Sequence, residues 1–432
     1  MSNKKKILVI GAGMGGLVAA YYLQKKGHDV EVFEASNRAG GRMRTLEYKG
    51  DKVEVGAQFF HSGYSSTLKL MDEMGLSDEI HPFDADMLFH LEDGSVFRFN
   101  QNKPFLPMLG ILGNIKLVWL LIKYVIFGKK FPMYKINTDI PEYDNKKATS
   151  IVEGACSEKL TNYFMEPLLL GPPGTTSKYN VVRWLRCSVK EKLFALTGGM
   201  AQLTDAVAKR LSIRYQSPVK KVLMEKGKVV GIELVKNNEK IFADHVVLAA
   251  EPPEAAKLLP DELEIQRTFY QKVVPTKRTM PIFFMNSTLD NKYQGCFAHL
   301  NKPSLRQDVT YIFNHTVKSP WMVPSGKTIL AAWFGVRARE DWFDKSDEEI
   351  IKKSILEMER MIPGFSEKIE HAEVIRYPYV ETEYEPGAHK RVLDVVESMK
   401  DLQGISFVGG VFGGCFIEAA AISAEDAVEA IG

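Results

Sequence analysis

The fold is decided near the start of the chain by one stretch, Ile7-Leu8-Val9-Ile10-Gly11-Ala12-Gly13-Met14-Gly15-Gly16. Its four consecutive apolar residues predict a strand that is buried on both faces, as in a parallel sheet. Residues 17–26 predict a helix that ends at Gly27. A second apolar strand, residues 30–33, ends at Glu34. A strand, a glycine turn, a helix, a strand and an acid in this order predict a dinucleotide-binding βαβ unit.

The glycines of this turn have distinct expected roles. Gly11 allows the tight turn from strand to helix, and Gly13 lets a pyrophosphate approach the main chain because it has no Cβ. Gly16 lets the helix pack closely on the sheet. The free N–H groups at the start of the helix, around Met14 and Gly15, favour a negatively charged group. The turn is therefore predicted to hold the diphosphate of the nucleotide.

The segment after the second strand favours a flavin dinucleotide over a nicotinamide one. Glu34 is expected to accept hydrogen bonds from ribose hydroxyls. The next loop has two arginines and a glycine pair, and its predicted cofactor contacts are Ala35, Arg38, Gly41 and Arg42. The glycine pair permits close approach of the cofactor, and a guanidinium binds phosphate through two parallel donors. These contacts suit a dinucleotide whose second half extends beyond the first unit.

With these residues in place, the segment resembles the FAD fingerprint of the flavin-containing amine oxidase superfamily, which includes amine oxidases, protoporphyrinogen oxidases and phytoene desaturases. The resemblance covers most of the chain and implies non-covalent FAD. It assigns further contacts to Gly56, Ala57, Gln58 and Phe59 beside the isoalloxazine ring, to Val219 at the adenine, and to Gly409, Gly410, Phe416, Ile417 and Ala420 around the last helix. The chain departs from the family at Gly410, where an acid is usual, and at Ala419 and Ala424, where glycine is favoured.

The FAD segments are separated along the chain, which predicts an α/β architecture with two domains. The Rossmann-type FAD-binding domain is expected to comprise residues 1–80, 190–255 and 388–432. A discontinuous α+β substrate domain is expected to comprise residues 81–189 and 256–387. Its predicted elements are a hairpin around residues 92–94, strands at 281–285, 310–314 and 328–334, and a helix at 346–361.

The composition is that of an ordinary globular protein. The chain has 432 residues, 45% of them hydrophobic, and a net charge of +2, so a nucleic-acid partner is not expected. The four cysteines, Cys156, Cys187, Cys296 and Cys415, lack metal-binding spacing. They predict free thiols, no bound metal and a cytoplasmic location, while the oligomeric state stays open.

Residues 105–127 form the most apolar stretch of the chain. They include Asn114, Lys116 and Lys123, and so fall short of the roughly 18 uncharged apolar residues of a membrane span. An ordinary core helix is favoured. Two alternatives stay open: the lining of an apolar tunnel, and a peripheral membrane contact through residues 105–130 whose lysines meet lipid headgroups.

The resemblance implies an FAD-dependent oxidoreductase that removes a hydride from a substrate C–H bond. No catalytic residue is assigned. Lys272 and Lys277 lie in the region where amine oxidases carry a lysine near the flavin, but solvated lysines are the favoured interpretation. Residues 377–379 and 385–387 resemble protoporphyrinogen oxidases and carotenoid desaturases more than amine oxidases, and this resemblance implies an apolar polyene, isoprenoid or tetrapyrrole-like substrate. An amine or amino-acid oxidase, a redox-neutral isomerase and a non-catalytic prenyl-binding protein of the same fold stay open.

Overall fold

The computed structural model describes residues 4–100, 105–169, 174–301, 307–335, 340–414 and 416–432. Its strands are β1 (Lys6–Ile10), β2 (Asp29–Phe33), β3 (Thr45–Tyr48), β4 (Asp51–Glu54), β5 (Phe60–His61), β6 (Ile80–Phe83), β7 (Met87–His90), β8 (Val96–Phe99), β9 (Leu193–Leu196), β10 (Ile213–Arg214), β11 (Val219–Glu225), β12 (Lys228–Leu234), β13 (Lys240–Phe242), β14 (His245–Leu248), β15 (Val274–Met285), β16 (Ala298–Leu300), β17 (Val309–Asn314), β18 (Thr328–Phe334), β19 (Ile369–Glu383) and β20 (Ile405–Phe407).

The α-helices are α1 (Met14–Lys25), α2 (Ser65–Glu73), α3 (Gly110–Leu121), α4 (Pro141–Asp144), α5 (Ser157–Leu160), α6 (Glu166–Leu169), α7 (Lys178–Lys190), α8 (Ala201–Ala208), α9 (Pro252–Leu258), α10 (Glu264–Gln271), α11 (His315–Lys318), α12 (Asp347–Met361), α13 (Ala388–Met399) and α14 (Ile417–Ile431). The segments Ile122–Ile126 and Thr161–Met165 are π-helical and continue α3 and α5.

A parallel sheet forms the first half of the architecture. Its strand order is β10-β2-β1-β14-β20, and every neighbouring pair is parallel. The central strand β1 is apolar and buried, as the run of four apolar residues predicts. Helices α1 and α14 pack together in the hydrophobic core beside this sheet. The predicted Rossmann-type α/β fold is therefore confirmed.

A seven-stranded sheet forms the second half. Its order is β19-β15-β18-β17-β16-β7-β8, and its pairs are antiparallel except for β16 with β7. The apolar face of α12 packs on it through Ile350 and Met358. This helix begins with a capping box in which Ser346 and Glu349 bond each other's main chain. The predicted hairpin, three strands and helix are all present.

The strands of the two large sheets come from different parts of the chain. Every strand of the parallel sheet lies in one of the three predicted FAD segments, and every strand of the seven-stranded sheet lies outside them. A smaller sheet, β5-β9-β6, includes a strand that crosses the proposed boundary at residue 80. The exact domain boundaries stay a prediction.

The apolar stretch at residues 105–127 differs from the favoured prediction. It forms α3 and the π-helical segment that follows, but large apolar side chains on its outer face are exposed. In the described part of the chain, Pro107–Ile126 is the one helix long and apolar enough to cross a membrane by length and composition, and 33% of it is buried. The core-helix interpretation is wrong, because neighbouring elements cover only one side of the helix.

The described cysteines are free thiols, namely Cys156, Cys187 and Cys296. Burial raises the pKa of the Cys187 thiol to about 12, and the charge of Glu191 adds to this effect. Cys187 is therefore protonated and unreactive at neutral pH. Cys415 lies outside the described residues.

Candidate active site

A cleft of about 510 Å³ opens at the carboxyl ends of the parallel strands. Its floor includes Ile10 and Phe33, the last residues of β1 and β2, and Val408, which follows β20. Ligands of open α/β sheets bind in this position. The residues predicted to bind FAD line the cleft, with the exception of Gly16, Arg38, Gln58 and Phe59. Residues from all three predicted FAD segments therefore meet at this cleft.

The glycine turn has the close contacts that its sequence implies. Gly11 has a φ of +98°, and a Cβ there would lie 2.8 Å from the main-chain oxygen of Ala249. A Cβ at Gly16 would lie 2.0 Å from the oxygen of Gly11, so α1 packs directly against the turn. Gly16 is needed for this packing and does not line the cleft. A Cβ at Gly13 would meet no described atom within 4 Å, and Gly13 lines the cleft. Its open side is where a ligand can approach the main chain.

The start of α1 points at the same space. Gly13 is the N-cap residue, and no described side chain caps the first turn. Met14 and Gly15 line the cleft, so main-chain N–H groups and the positive end of the helix dipole face it. This arrangement binds a phosphate without any basic side chain.

Glu34 is held at the edge of the cleft by main-chain donors. Its Oε2 accepts a hydrogen bond of 2.8 Å from Ala12 N, and its Oε1 accepts one of 2.8 Å from Ser36 N. Its carbonyl oxygen accepts a bond of 2.9 Å from Ser217 N, which brings the start of β11 and Val219 to the cleft. The carboxylate keeps further lone pairs for a ribose hydroxyl. Contacts of Glu34 with ribose and of Val219 with adenine stay predictions.

The two arginines of the next loop differ in position. Arg38 bends back on its own loop and donates bonds of 3.0 Å to Ala39 O and 2.6 Å to Gly41 O, so it braces the turn and does not line the cleft. Arg42 lines the cleft, with its guanidinium 4.9 Å above the ring of Tyr379 and its Nε 3.4 Å from Glu251. Arg42 is the cation of this loop that can reach a bound phosphate.

The segment 56–59 contributes only its first half to the cleft. A Cβ at Gly56 would lie 1.7 Å from Arg42 O, so glycine is required there, and Gly56 and Ala57 line the cleft. Gln58 turns inward, where its Nε2 donates a bond of 2.9 Å to Gly56 O. Phe59 packs in an aromatic cluster beyond the cleft. The chain leaves the cleft after Ala57, and no feature of the local sequence marks this point.

A buried lysine and a buried glutamate, neither of which was predicted as a site residue, support this segment. Nζ of Lys318 donates a bond of 2.9 Å to Gln58 O, and Glu54 accepts bonds from Met200 N (3.0 Å) and Thr45 Oγ1 (3.2 Å). Burial lowers the pKa of Lys318 to about 8, against the opposing charge of Glu54. Burial likewise raises the pKa of Glu54, against the charge of Lys318. Nothing in the local sequence around Lys318 marks this role.

The C-terminal segment places a second helix start at the cleft. Gly409, Gly410, Phe416, Ile417 and Ala420 line it, and no described side chain caps the first turn of α14. Glu418 lies in that turn, but its carboxylate does not cap the N–H groups at the start of α14. Its carboxylate instead accepts bonds from the first N–H groups of α2. The amides at the start of α14 are therefore left for the cofactor.

A fully buried arginine stands behind this glycine segment. Nη1 of Arg183, on α7, donates a bond of 3.0 Å to Gly413 O, and its guanidinium lies 5.2 Å from the centre of the Tyr179 ring. Nε and Nη2 have no hydrogen-bond partner among the described residues. Arg183 was not predicted as a site residue, because nothing in the sequence of its helix indicates a contact with residue 413.

The wall opposite the glycine turns comes from the seven-stranded sheet and was also missed. It includes Arg278, Met280, Trp333, Tyr377 and Tyr379. The Arg278 guanidinium is buried, 4.3 Å from the Trp333 ring centre and 3.8 Å from Glu381 Oε1. Trp333 Nε1 donates a bond of 3.0 Å to the sulfur of Met280. The alternation along β15 is visible in the sequence, but the face that meets the cleft depends on strand pairing.

Neither lysine considered from the sequence lines the cleft. Lys272 is exposed at the end of α10. Lys277 alternates with Arg278 and Met280 on β15, so it points to the other face, where its Nζ lies 3.4 Å from Glu340. Their interpretation as solvent-side lysines agrees with these positions.

The residues present fit FAD. The cleft has main-chain N–H groups at two uncapped helix starts, an open side at Gly13, an acid at one end and the cation Arg42. Gly410, where an acid is usual in the family, lines the cleft through its main chain. Its carbonyl oxygen and that of Val411 accept bonds of 3.3 and 2.9 Å from Tyr384 Oη, so a tyrosine orders this turn.

Comparisons with known proteins agree with this site. Residues 14–432 match the family model described as flavin containing amine oxidoreductase. The chain is 24% identical to 4,4'-diapolycopen-4-al dehydrogenase of Metabacillus indicus, over 85% of this chain and 83% of that protein. It is 24% identical to 15-cis-phytoene desaturase of Solanum lycopersicum, over 87% of this chain and 68% of that protein.

Solved structures show the same fold. The crystal structure of a protein assigned as a protoporphyrinogen oxidase, from Exiguobacterium sp. 255-15, superposes with a TM-score of 0.77 at 18% identity. The superposition covers 100% of this chain and 99% of that one. Together with the family match over nearly the whole chain, the cleft leads to one conclusion. The chain binds FAD non-covalently, is an FAD-dependent oxidoreductase and belongs to the flavin-containing amine oxidoreductase family.

Proposed function

We propose that the enzyme dehydrogenates an apolar, unsaturated small molecule of the polyene, isoprenoid or tetrapyrrole-like class. The observation that carries this proposal is the aromatic wall that faces the glycine turns. Trp333, Tyr377 and Tyr379 line the cleft. Aromatic faces bind flat conjugated systems through dispersion and offset stacking.

The wall continues beyond the cleft as a chain of aromatic rings. The ring centre of Trp333 lies 4.5 Å from that of Phe313, which lies 5.2 Å from that of Phe297. Phe297 in turn contacts Phe83 and Phe59, with ring centres 5.4 and 6.3 Å away. Phe59 and Phe83 are only partly buried. Phe297 and Phe313 are buried in the core, so these rings support Trp333 from behind and keep the surroundings of the wall apolar.

The named activities of the relatives support the same class. One relative is named as a dehydrogenase of 4,4'-diapolycopen-4-al and the other as a desaturase of 15-cis-phytoene. Both activities remove hydrogen from, or oxidise, long unsaturated molecules. The proposal for this chain rests on these names together with the aromatic wall.

The protein's own residues bind FAD, orient the substrate and exclude water from the site. FAD, when bound, supplies the redox chemistry by accepting a hydride from a substrate C–H bond. The glycine turns and Arg42 hold the diphosphate, while the aromatic wall orients the substrate and excludes water. The uncapped start of α14 and the buried charge of Arg183 favour negative charge near the glycine segment. No nucleophile is required by this chemistry.

A second candidate, oxidation of an amino acid or another carboxylate-bearing substrate, is favoured by Arg278. Its guanidinium is buried in the wall of the cleft, with Glu381 at 3.8 Å. Guanidinium groups bind carboxylates through two parallel hydrogen bonds. A tetrapyrrole-like substrate that carries carboxylates would satisfy both this residue and the aromatic wall.

The test is reduction of the bound FAD under anaerobic conditions. The yellow holoenzyme is mixed with a carotenoid polyene, with a reduced tetrapyrrole or with members of an amine and amino-acid panel, and bleaching of the flavin absorbance is followed. The proposal expects rapid bleaching by the polyene or the tetrapyrrole. Bleaching by amines or amino acids alone would contradict it, and peroxide release with those compounds in air would identify the oxidase instead. Product analysis separates dehydrogenation from isomerisation without net oxidation.

We also propose a cytoplasmic location with a peripheral membrane contact through residues 105–130. The free thiols of the described cysteines suit a reducing compartment. An apolar substrate of the proposed class partitions into lipid, and the exposed side of α3 is apolar. A membrane fraction that contains the FAD absorbance of the enzyme would support this location.

A further inference from the structure

The outer side of α3 and the π-helical segment after it is the most apolar exposed surface of the described chain. Ile111 and Phe127 are 78% and 80% exposed, and Leu112, Ile115, Trp119 and Ile126 are at least half exposed. These residues recur at intervals of three or four along the helix, so they form one stripe. We call this stripe the apolar face. Contiguous apolar patches of this kind mark interaction sites rather than ordinary solvent surface.

The opposite side of the same helix fixes it to the protein. Leu117, Leu120 and Tyr124 are buried in a core cluster. Oδ1 of Asn114 accepts a hydrogen bond of 3.0 Å from Leu106 N, and its Nδ2 donates one of 2.8 Å to Leu106 O. Nζ of Lys116 donates bonds of 2.6 to 2.9 Å to three carbonyl oxygens at residues 152, 153 and 155. The helix therefore stays on the protein surface and cannot cross a bilayer without breaking these contacts.

The charges around the apolar face have one dominant sign. Residues 105–130 contain lysines but no aspartate or glutamate. At the C-terminal end of the helix, Nζ of Lys123 lies 4.4 Å from the Trp119 ring centre, and Lys129 and Lys130 are exposed. Burial lowers the pKa of Lys178, and the charges of Lys123 and Lys146 lower it further. These three lysines are therefore close together. Glu142, paired with Lys129, offsets part of this charge at the C-terminal end, and the exposed Glu153 and Glu158 lie on the segment beside the N-terminal half of the helix.

We propose that the apolar face docks on a lipid bilayer that contains anionic headgroups. Its aliphatic and aromatic side chains enter the boundary between headgroups and acyl chains, and the lysines at its end contact the anionic headgroups. Trp119, which carries Lys123 above its ring, lies at the level where indole rings are favoured in membranes. The lysines attract anionic headgroups. In a symmetric dimer they would lie against the same lysines of the second copy and repel them, so lipid is the favoured partner.

This docking places the membrane next to the core that supports the substrate cleft, a step that rests on the proposed function. The core cluster under the helix also includes Phe297, Tyr311 and Phe313, and Trp333 packs against it. Trp333 is the residue of that group that lines the cleft. One body of packed side chains thus joins the apolar face to the aromatic wall. The docked bilayer would thus contact the same core cluster that packs against the wall of the cleft.

The test measures flotation of the holoenzyme with vesicles of phosphatidylcholine, with and without phosphatidylglycerol. Flotation with the anionic vesicles is expected. In the triple variant I111S/L112S/I115S the partition coefficient is expected to fall at least about tenfold, because three large apolar groups no longer enter the lipid. Lys123→Gln with Lys130→Gln should weaken binding to anionic vesicles and leave binding to neutral ones unchanged. The matched control is V235S/F242S/L356S, which removes comparably exposed apolar side chains elsewhere.

Each outcome separates lipid binding from the alternatives. Failure of the holoenzyme to float with anionic vesicles, or unchanged flotation of the triple variant, would overturn the proposal. A dimer in sedimentation experiments without lipid that the triple variant abolishes would assign the face to a second copy instead. FAD content and flavin absorbance, measured on every variant, verify folding. Because flotation needs no turnover, its result does not depend on the substrate, and reduction of the flavin by substrate in detergent tests the proposed function separately.

Discussion

Nζ of Lys318 donates a hydrogen bond of 2.9 Å to the main-chain oxygen of Gln58, across 260 residues of sequence. Lys318 is fully buried at the end of α11, and Gln58 directly follows the two cleft residues Gly56 and Ala57. The bond therefore fixes the segment that the family resemblance places beside the isoalloxazine ring. The Glu54 carboxyl is also buried; burial raises its pKa, and the charge of Lys318 opposes this effect.

Replacing Lys318 by methionine is expected to lower the free energy of unfolding by about 1–3 kcal/mol, because the buried Gln58 O loses its donor and Glu54 loses the opposing charge. The double variant E54Q/K318M should recover part of this loss. Urea unfolding followed by circular dichroism measures both. Lys257→Met, at an exposed ion pair, is the control and should change stability by less than about 0.5 kcal/mol. Equal unfolding midpoints for Lys318→Met and the control would contradict the role of the pair.

Replacement by alanine is expected to weaken FAD binding at Gly13 and to lower folding stability at Gly16. A Cβ at Gly16 would lie 2.0 Å from Gly11 O, so Gly16→Ala must displace α1 and should be strongly destabilised. A Cβ at Gly13 would meet no described atom within 4 Å, so Gly13→Ala should fold normally. Its methyl group would instead enter the cleft and weaken FAD binding by about tenfold or more. Thermal unfolding of the apoprotein and FAD titration separate the two effects, and equal thermal stability of both apo-variants would argue against this assignment.

Arg183→Met is expected to lower the reduction potential of the bound FAD. The buried guanidinium donates to Gly413 O behind the glycine segment, and a fixed positive charge there favours the added electrons. A shift of about 30 mV corresponds to about 1.4 kcal/mol for two electrons, and a shift of that order is expected. Arg183→Lys keeps the charge and should shift the potential less. Spectroelectrochemical titration measures this, and identical potentials in Arg183→Met and the wild type would exclude an electrostatic role.

Stability is expected to fall as the pH decreases from about 6.5 towards 4. Burial lowers the pKa of His245 and His389 to about 4 and that of His299 to about 3. In this pH window the unfolded chain binds protons at these imidazoles and the folded chain does not, so acid favours unfolding. Each histidine contributes at most about 1.4 kcal/mol per pH unit. Urea midpoints across this window measure the slope, and His299→Gln should flatten it; an unchanged slope in that variant would count against the buried neutral imidazole.

The local features of the fold follow from the sequence because they depend on neighbouring residues. Four apolar residues, the glycines and Glu34 lie within a single βαβ unit, and their spacing alone predicts the turn, the helix start and the acid at the edge of the cleft. The hairpin β7–β8 and the capped helix α12 follow from turn residues and a capping box in the same way. Within the predicted FAD set, the sequence could not distinguish Arg42, which lines the cleft, from Arg38, which braces its own loop.

Only the tertiary structure decided the rest of the site. Lys318 meets Gln58 and Arg183 meets Gly413 because sheets and helices from separate parts of the chain pack together, and no local pattern encodes those distances. The same holds for the wall of Arg278 and Trp333, which strand pairing brings to the cleft. The apolar composition of α3 is equally suited to a protein core and to lipid. Whether such a helix is covered depends on the surfaces that fold against it, and here they cover one side and leave the other exposed.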